Sequence, residues 1–185
     1  MDSRDGLSSS AERIREPILS VTLVFTGRWF LLNEQYFWLV MTDRRIIFFN
    51  TDDILTASGK SPAELTLHDR IRRLVIPEET SIAAREKIRA MHPSAIAAAF
   101  PGAVIIPVSA VASFVIDQGY WDLMSERYSR WTVNITRQDK TGRNTTFRFL
   151  VRDNPVEIVG TAKDLFGKRF VAPKIIYFGW KGYEV

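Results

Sequence analysis

Proton transfer, nucleophilic attack and metal binding each need particular side chains, and the chain supplies few of them. It has 185 residues with two histidines, His68 and His92, and no cysteine, which removes disulfides, thiolate nucleophiles and thiolate metal sites together. His68-Asp69 falls on a predicted helix, where adjacent side chains diverge, so the pair is not a ready-made dyad. His92 precedes Pro93 at a predicted helix end, where an imidazolium favours the C-terminal dipole. Asp52-Asp53 and Glu78-Glu79 read as a turn and a helix start, and no HExxH or Asp-x-Asp-x-Asp loop is present to hold a metal. The ten glycines are dispersed and form neither GxGxxG nor GxxxxGK[ST], so no nucleotide or other cofactor is expected. The chain therefore reads as a binding protein and not as an enzyme.

Two groups of residues suit binding. Arg70, Arg72, Arg73, Arg85, Lys87 and Arg89 place six cations in one helical stretch, a composition able to meet anionic lipid or a nucleic acid backbone. Glu64, Asp69, Glu78, Glu79 and Glu86 lie among them, which is also the pattern of ordinary salt-bridged, solvated helices. The second group is Tyr120, Trp121, Leu123 and Met124 in a connector between strands. Such residues either pack on the body or meet a partner. A formal net charge of +4 permits an anionic partner without requiring one.

The elements that carry these groups are mostly strands. Residues 19–25, 29–32, 36–41 and 46–49 are rich in aromatic and β-branched types and are separated by polar breaks, as in a meander. After residue 53 the pattern turns helical. Ser61-Pro62-Ala63-Glu64 is a capping box that predicts a helix from Pro62 to about Leu74. Pro77-Glu78-Glu79 opens a second, with Ala84, Ile88 and Met91 along one face, and an alanine-rich turn over 94–99 follows.

Strand behaviour resumes at 104–106 and 110–116 around Pro107. Trp131, Val133 and Ile135 then alternate with Thr132, Asn134 and Thr136, Phe147, Phe149 and Val151 alternate with Thr146, Arg148 and Leu150, and Asp139-Lys140-Thr141-Gly142 between them supplies a hairpin turn. Asn154-Pro155 starts a last amphipathic helix that Gly167 ends. In the tail, Ile175-Ile176-Tyr177-Phe178 suits either an added edge strand or a self-associating segment, hence a homo-oligomer. The first 15 residues lack the basic-then-apolar pattern of a secretory signal, and no apolar run reaches the ~18 uncharged residues of a membrane helix.

About seven short antiparallel strands followed by one amphipathic helix resemble the pleckstrin-homology-like (PH-like) superfold, including GRAM domains and small bacterial PH-like proteins. Trp38-Leu39-Val40-Met41-Thr42-Asp43-Arg44-Arg45-Ile46-Ile47-Phe48-Phe49 is similar to that family's strand, Thr-Asp-Arg-Arg turn and apolar strand. Ile106-Pro107-Val108-Ser109-Ala110-Val111 is similar to its Ile-Pro-Leu start of the second sheet. The likeness covers about 17–50 and 104–167; the helical stretch 61–99 departs from it as an insertion.

The resemblance implies an α+β, mostly β fold: an antiparallel barrel of about seven strands with a C-terminal capping helix over 17–168, a flexible segment 1–16 and an extension 169–185. It implies a cytoplasmic binding or scaffolding module, recognising a protein partner or a membrane surface. A peripheral anionic-lipid binder using the basic insert is the alternative, and nucleic-acid binding, without RNP-type aromatic motifs, is the remaining one. The basic cluster that phosphoinositide-binding PH domains carry in the first hairpin is missing, since that loop holds Arg28 beside Asn33 and Glu34.

Overall fold

The computed structural model describes residues 16–26, 35–50, 78–100, 102–119, 130–151, 154–178 and 181–185. The expected strand over 29–32, the helix that opens at Pro62 and the connector 120–124 lie outside them. Three strands come first, β1 (Ile18–Thr26), β2 (Gln35–Thr42) and β3 (Arg45–Asn50), then helices α1 (Glu78–Arg89) and α2 (Pro93–Ala99). Strands β4 (Val104–Pro107), β5 (Val111–Gly119), β6 (Arg130–Gln138) and β7 (Asn144–Val151) precede helix α3 (Val156–Phe166). The chain closes with β8 (Phe170–Val171), β9 (Ile175–Phe178) and β10 (Lys181–Glu184). No described helix is long and apolar enough to cross a membrane.

The first eight strands form one mostly antiparallel sheet in the order β4-β3-β2-β1-β7-β6-β5-β8. Five strands lie between β4 and β5 in that ladder, yet only the 3₁₀ turn Val108–Ala110 separates them in sequence. Six strand spacings of ~4.8 Å would put them about 29 Å apart in a flat sheet, whereas four Cα steps reach at most about 15 Å. The sheet must therefore roll. Hydrogen bonds fix the rolled corner: Val108 N–H donates to Arg44 O at 2.8 Å, and Arg169 Nη1 donates to Val108 O at 3.0 Å and Val111 O at 2.7 Å.

The roll does not close, which corrects the expected seven-stranded barrel to an open sheet of eight strands. The outer edge of β5 is taken by β8, which pairs with it in parallel at Phe114↔Phe170 and Val115↔Val171. Pro107 ends β4 without an N–H to offer across the seam. The tail segment is corrected as well. Ile175–Phe178 does not extend the sheet; it pairs with Lys181–Glu184 as a separate hairpin, because Pro173 interrupts the ladder just after β8.

Inside the roll, Leu39, Met41, Ile46, Phe48 and Ile106 from one half meet Phe114, Ile116, Trp131, Val133, Ile135 and Phe149 from the other. Helix α3 lays Ile158, Val159, Ala162 and Phe166 into this core, and Phe166 stacks on Phe114 at 5.1 Å. It starts where Asn154 Oδ1 accepts the Val156 N–H at 3.0 Å and stops at Gly167, whose φ of 50° suits a residue without Cβ.

A second core covers the outer face of β1–β3. Val21, Leu23, Trp38, Val40, Ile47 and Phe49 point there, against Ala84, Ile88 and Ile96 of α1 and α2. Burying each large apolar side chain in this layer contributes roughly 1.5–3 kcal/mol. The 94–99 stretch, expected as a turn, is a full helix because Pro93 begins it and Ile96 is wholly buried.

Candidate functional site

The six cations of the insert are brought together only in part. Arg70, Arg72 and Arg73 lie outside the described residues, as do His68 and the Tyr120, Trp121, Leu123 and Met124 group. On α1, Arg85 and Arg89 are four residues apart and share a face that meets the body of the protein. Arg89 Nη2 donates to Glu157 Oε1 at 2.7 Å, and its Nη1 lies 3.5 Å from Glu86 Oε1. Arg85 lines a cleft of ≈310 Å³ together with Val21, Thr22, Asn154, Val156 and Glu157. Lys87 is exposed and sits off that face. Two of the three described cations thus serve the seam between α1, β1 and the start of α3.

His92 caps a helix other than the one expected. Its Nδ1 accepts the Ser94 N–H at 3.3 Å at the N-terminus of α2. An accepting ring nitrogen carries no proton, so this bond is made by the neutral imidazole and not by a cation at the C-terminus of α1.

A polar cluster that sequence reading passed over holds the start of the sheet. Glu16, 6% exposed, takes a fork from Arg45, with Nε at 2.8 Å and Nη2 at 2.6 Å. Thr42 Oγ1 donates to Glu16 Oε1 at 2.5 Å while accepting the N–H groups of Arg44 at 3.2 Å and Arg45 at 2.9 Å. Burial pushes the Glu16 carboxyl up, but the hydrogen bonds from Arg45 and Thr42 and the charges of Arg45 and Arg44 outweigh it and hold the group below the usual range. The Thr-Asp-Arg-Arg turn thereby becomes an anchor for β1. The signal available in sequence was a lone Glu beside Pro17, too little to name a partner 29 residues away.

The β6–β7 hairpin presents a different surface. Asp139 Oδ1 accepts from Thr141 N–H at 2.8 Å, Thr141 Oγ1 at 2.6 Å and Arg143 N–H at 2.9 Å, and Gly142 takes the positive φ of 83° that the turn demands. Lys140 and Arg143 are exposed around it, Arg148 is exposed in the middle of β7 opposite Asn134, and the Arg137 guanidinium lies over the Phe147 ring at 5.9 Å from its centroid. Among the described residues, no three acidic or histidine side chains gather to hold a metal ion. Comparison with family models, curated proteins and solved structures gave no match to this chain.

Proposed function

We propose that this chain is a cytoplasmic PH-like binding or scaffolding module that recognises a protein partner or a membrane surface. The observation that carries the reading is the rolled, mostly antiparallel sheet with α3 packed into its concave side, which matches the element order that the resemblance implies. Several of the described polar groups are engaged in architecture: Glu16 and Arg45 anchor β1, Arg169 holds the Val108–Ala110 corner, Asp139 builds a turn and His92 caps a helix. Such a body offers surfaces to a partner.

The alternative, an anionic-lipid binder acting through the insert, has less support, because Arg89 is ion-paired to Glu157 and Glu86. The test is a binding measurement run beside a turnover screen. Immobilised wild-type protein is expected to retain a partner from native lysate, or anionic vesicles, saturably, with retention unchanged in His92→Ala. A substrate-dependent activity abolished by His68→Ala or His92→Ala overturns the proposal.

A further inference from the structure

Among the described residues, the two sheets leave four outer edges, those of β4, β8, β9 and β10. An uncovered edge is a row of backbone donors and acceptors with which another strand can pair. Three of the four are poor templates. β4 ends on Pro107, which has no N–H, and β8 is two residues long. β9 reads Ile-Ile-Tyr-Phe, apolar enough to pair without selectivity, but Pro173 and the exposed Lys174 stand directly before it, and such residues guard apolar edges.

β10, Lys181-Gly182-Tyr183-Glu184, differs because it is complementary to itself. Two copies laid antiparallel about a two-fold axis between Gly182 and Tyr183 set position 181 of one chain against 184 of the other, and 182 against 183. Lys181 then stands opposite Glu184 twice, once on each side of the axis, and directly opposed charges of opposite sign stabilise a strand pair. Gly182 stands opposite Tyr183 twice, and an aromatic residue across from an edge glycine supplies the contact the glycine lacks. Every other antiparallel register separates Lys181 from Glu184, and parallel pairing in register sets like charges together. Charge therefore selects one arrangement.

The hairpin that carries this strand is fixed at its base. Val185 N–H donates to Lys174 O at 3.1 Å, and Val185 and Ala172 pack against the inner core. A sheet of two strands is marginal in water, whereas three or more make a stable one. Joining two hairpins along β10 gives four strands in the order β9-β10-β10-β9.

We propose that the outer edge of β10 binds a second copy of this chain, giving a symmetric dimer in which Lys181 of each protomer pairs with Glu184 of the other. The inference stands apart from the binding-module reading, which needs no second copy. Four residues a side make a small contact, and small interfaces form weak, transient complexes. The test is sedimentation velocity of the full chain across the micromolar range. Wild type should pass from monomer to dimer and stop there, because pairing uses the β10 edge of both copies.

Lys181→Glu and Glu184→Lys each replace two opposite-charge pairs by two like-charge pairs. Each such pair contributes or opposes by about a factor of two to three, so either variant alone should dimerise on the order of thirtyfold more weakly. Mixed together, the two should dimerise as wild type does, since each chain then presents the charge the other lacks. Added salt should narrow the gap between wild type and the single variants. The double variant Lys181→Glu/Glu184→Lys should self-associate as wild type does and, labelled, should refuse to pair with wild type. Circular dichroism checks the fold of each.

A wild type that stays monomeric throughout, or grows beyond a dimer, overturns the assignment. So do single variants that self-associate like wild type, a mixture of the two that remains monomeric, or a double variant that pairs freely with wild type.

Discussion

The two halves of the sheet are buried differently. In β1–β3 both faces are covered: Leu39, Met41, Ile46 and Phe48 look into the roll, while Trp38, Val40, Ile47 and Phe49 lie under α1 and α2, each 4% exposed or less. In β5–β7 only the inner face is sealed. Ile116, Val133, Ile135 and Phe149 are buried, whereas Ser113, Val115, Asn134, Thr136, Thr146 and Arg148 remain open to solvent in part or in full, Thr132 being the buried exception. The difference shows what the inserted helices do. They turn one half of an ordinary one-sided sheet into the middle layer of a three-layer stack, and they leave the other half available for contacts outside the molecule.

This contrast makes predictions that substitutions can break. The largest effect should come from Phe49→Ala in the doubly covered half. Phe49 stacks on Phe100 at 4.2 Å, and its loss should cost about 3–5 kcal/mol in urea unfolding. Asn134→Ala on the open face should stay within about 0.5 kcal/mol. Equal costs would mean that both halves are covered alike.

An intermediate effect is expected at the anchor of β1. Glu16→Gln should cost about 2 kcal/mol, because it strips the fork from Arg45 and leaves a buried amide in its place. The folded-state value of the Glu16 carboxyl is depressed, so its contribution is fully present above the ordinary value of 4.5 and is lost as pH falls below it. Wild type should therefore lose its advantage over Glu16→Gln on acidification, as followed by thermal melts from neutral pH downward. An advantage that grows in acid would refute the anchor.

The smallest effect belongs to Arg89→Ala. Its bridge to Glu157 joins two side chains that are each 40% exposed, and exposed pairs contribute about 0.2–1 kcal/mol. A loss beyond about 2 kcal/mol would show that this ion pair, and not the apolar layer under α1, holds the insert in place.

Much of this was legible because side-chain periodicity reports burial. The alternation in β6 and β7 names a one-sided hairpin, and Asp139 with Gly142 names its turn. The unbroken runs Trp38-Leu39-Val40-Met41 and Ile46-Ile47-Phe48-Phe49 identify strands. Their lack of alternation is itself the signal that something covers the outer face, which the helical stretch does. What lay beyond reach was non-local. The pairing of β1 with β7, the parallel addition of β8 and the Glu16–Arg45 fork depend on how the chain folds back. α2 was within reach, since Pro93 suits a first helical turn and alanine is the strongest helix former, and only the burial of Ile96 beneath it is non-local.

The seam between β1 and β7 joins Val24 to Val151 and Phe25 to Leu150, the most distant partners in sequence of any strand pair in the ladder. During synthesis, β1 emerges with β2 and β3 long before β7 exists, and the amides and carbonyls along its free edge wait unpaired for that time. α1 and α2 leave the ribosome in between. They can shield the apolar back of the nascent three-stranded unit, a chaperone-like service from within the chain, so that the last hairpin finds a formed template to complete.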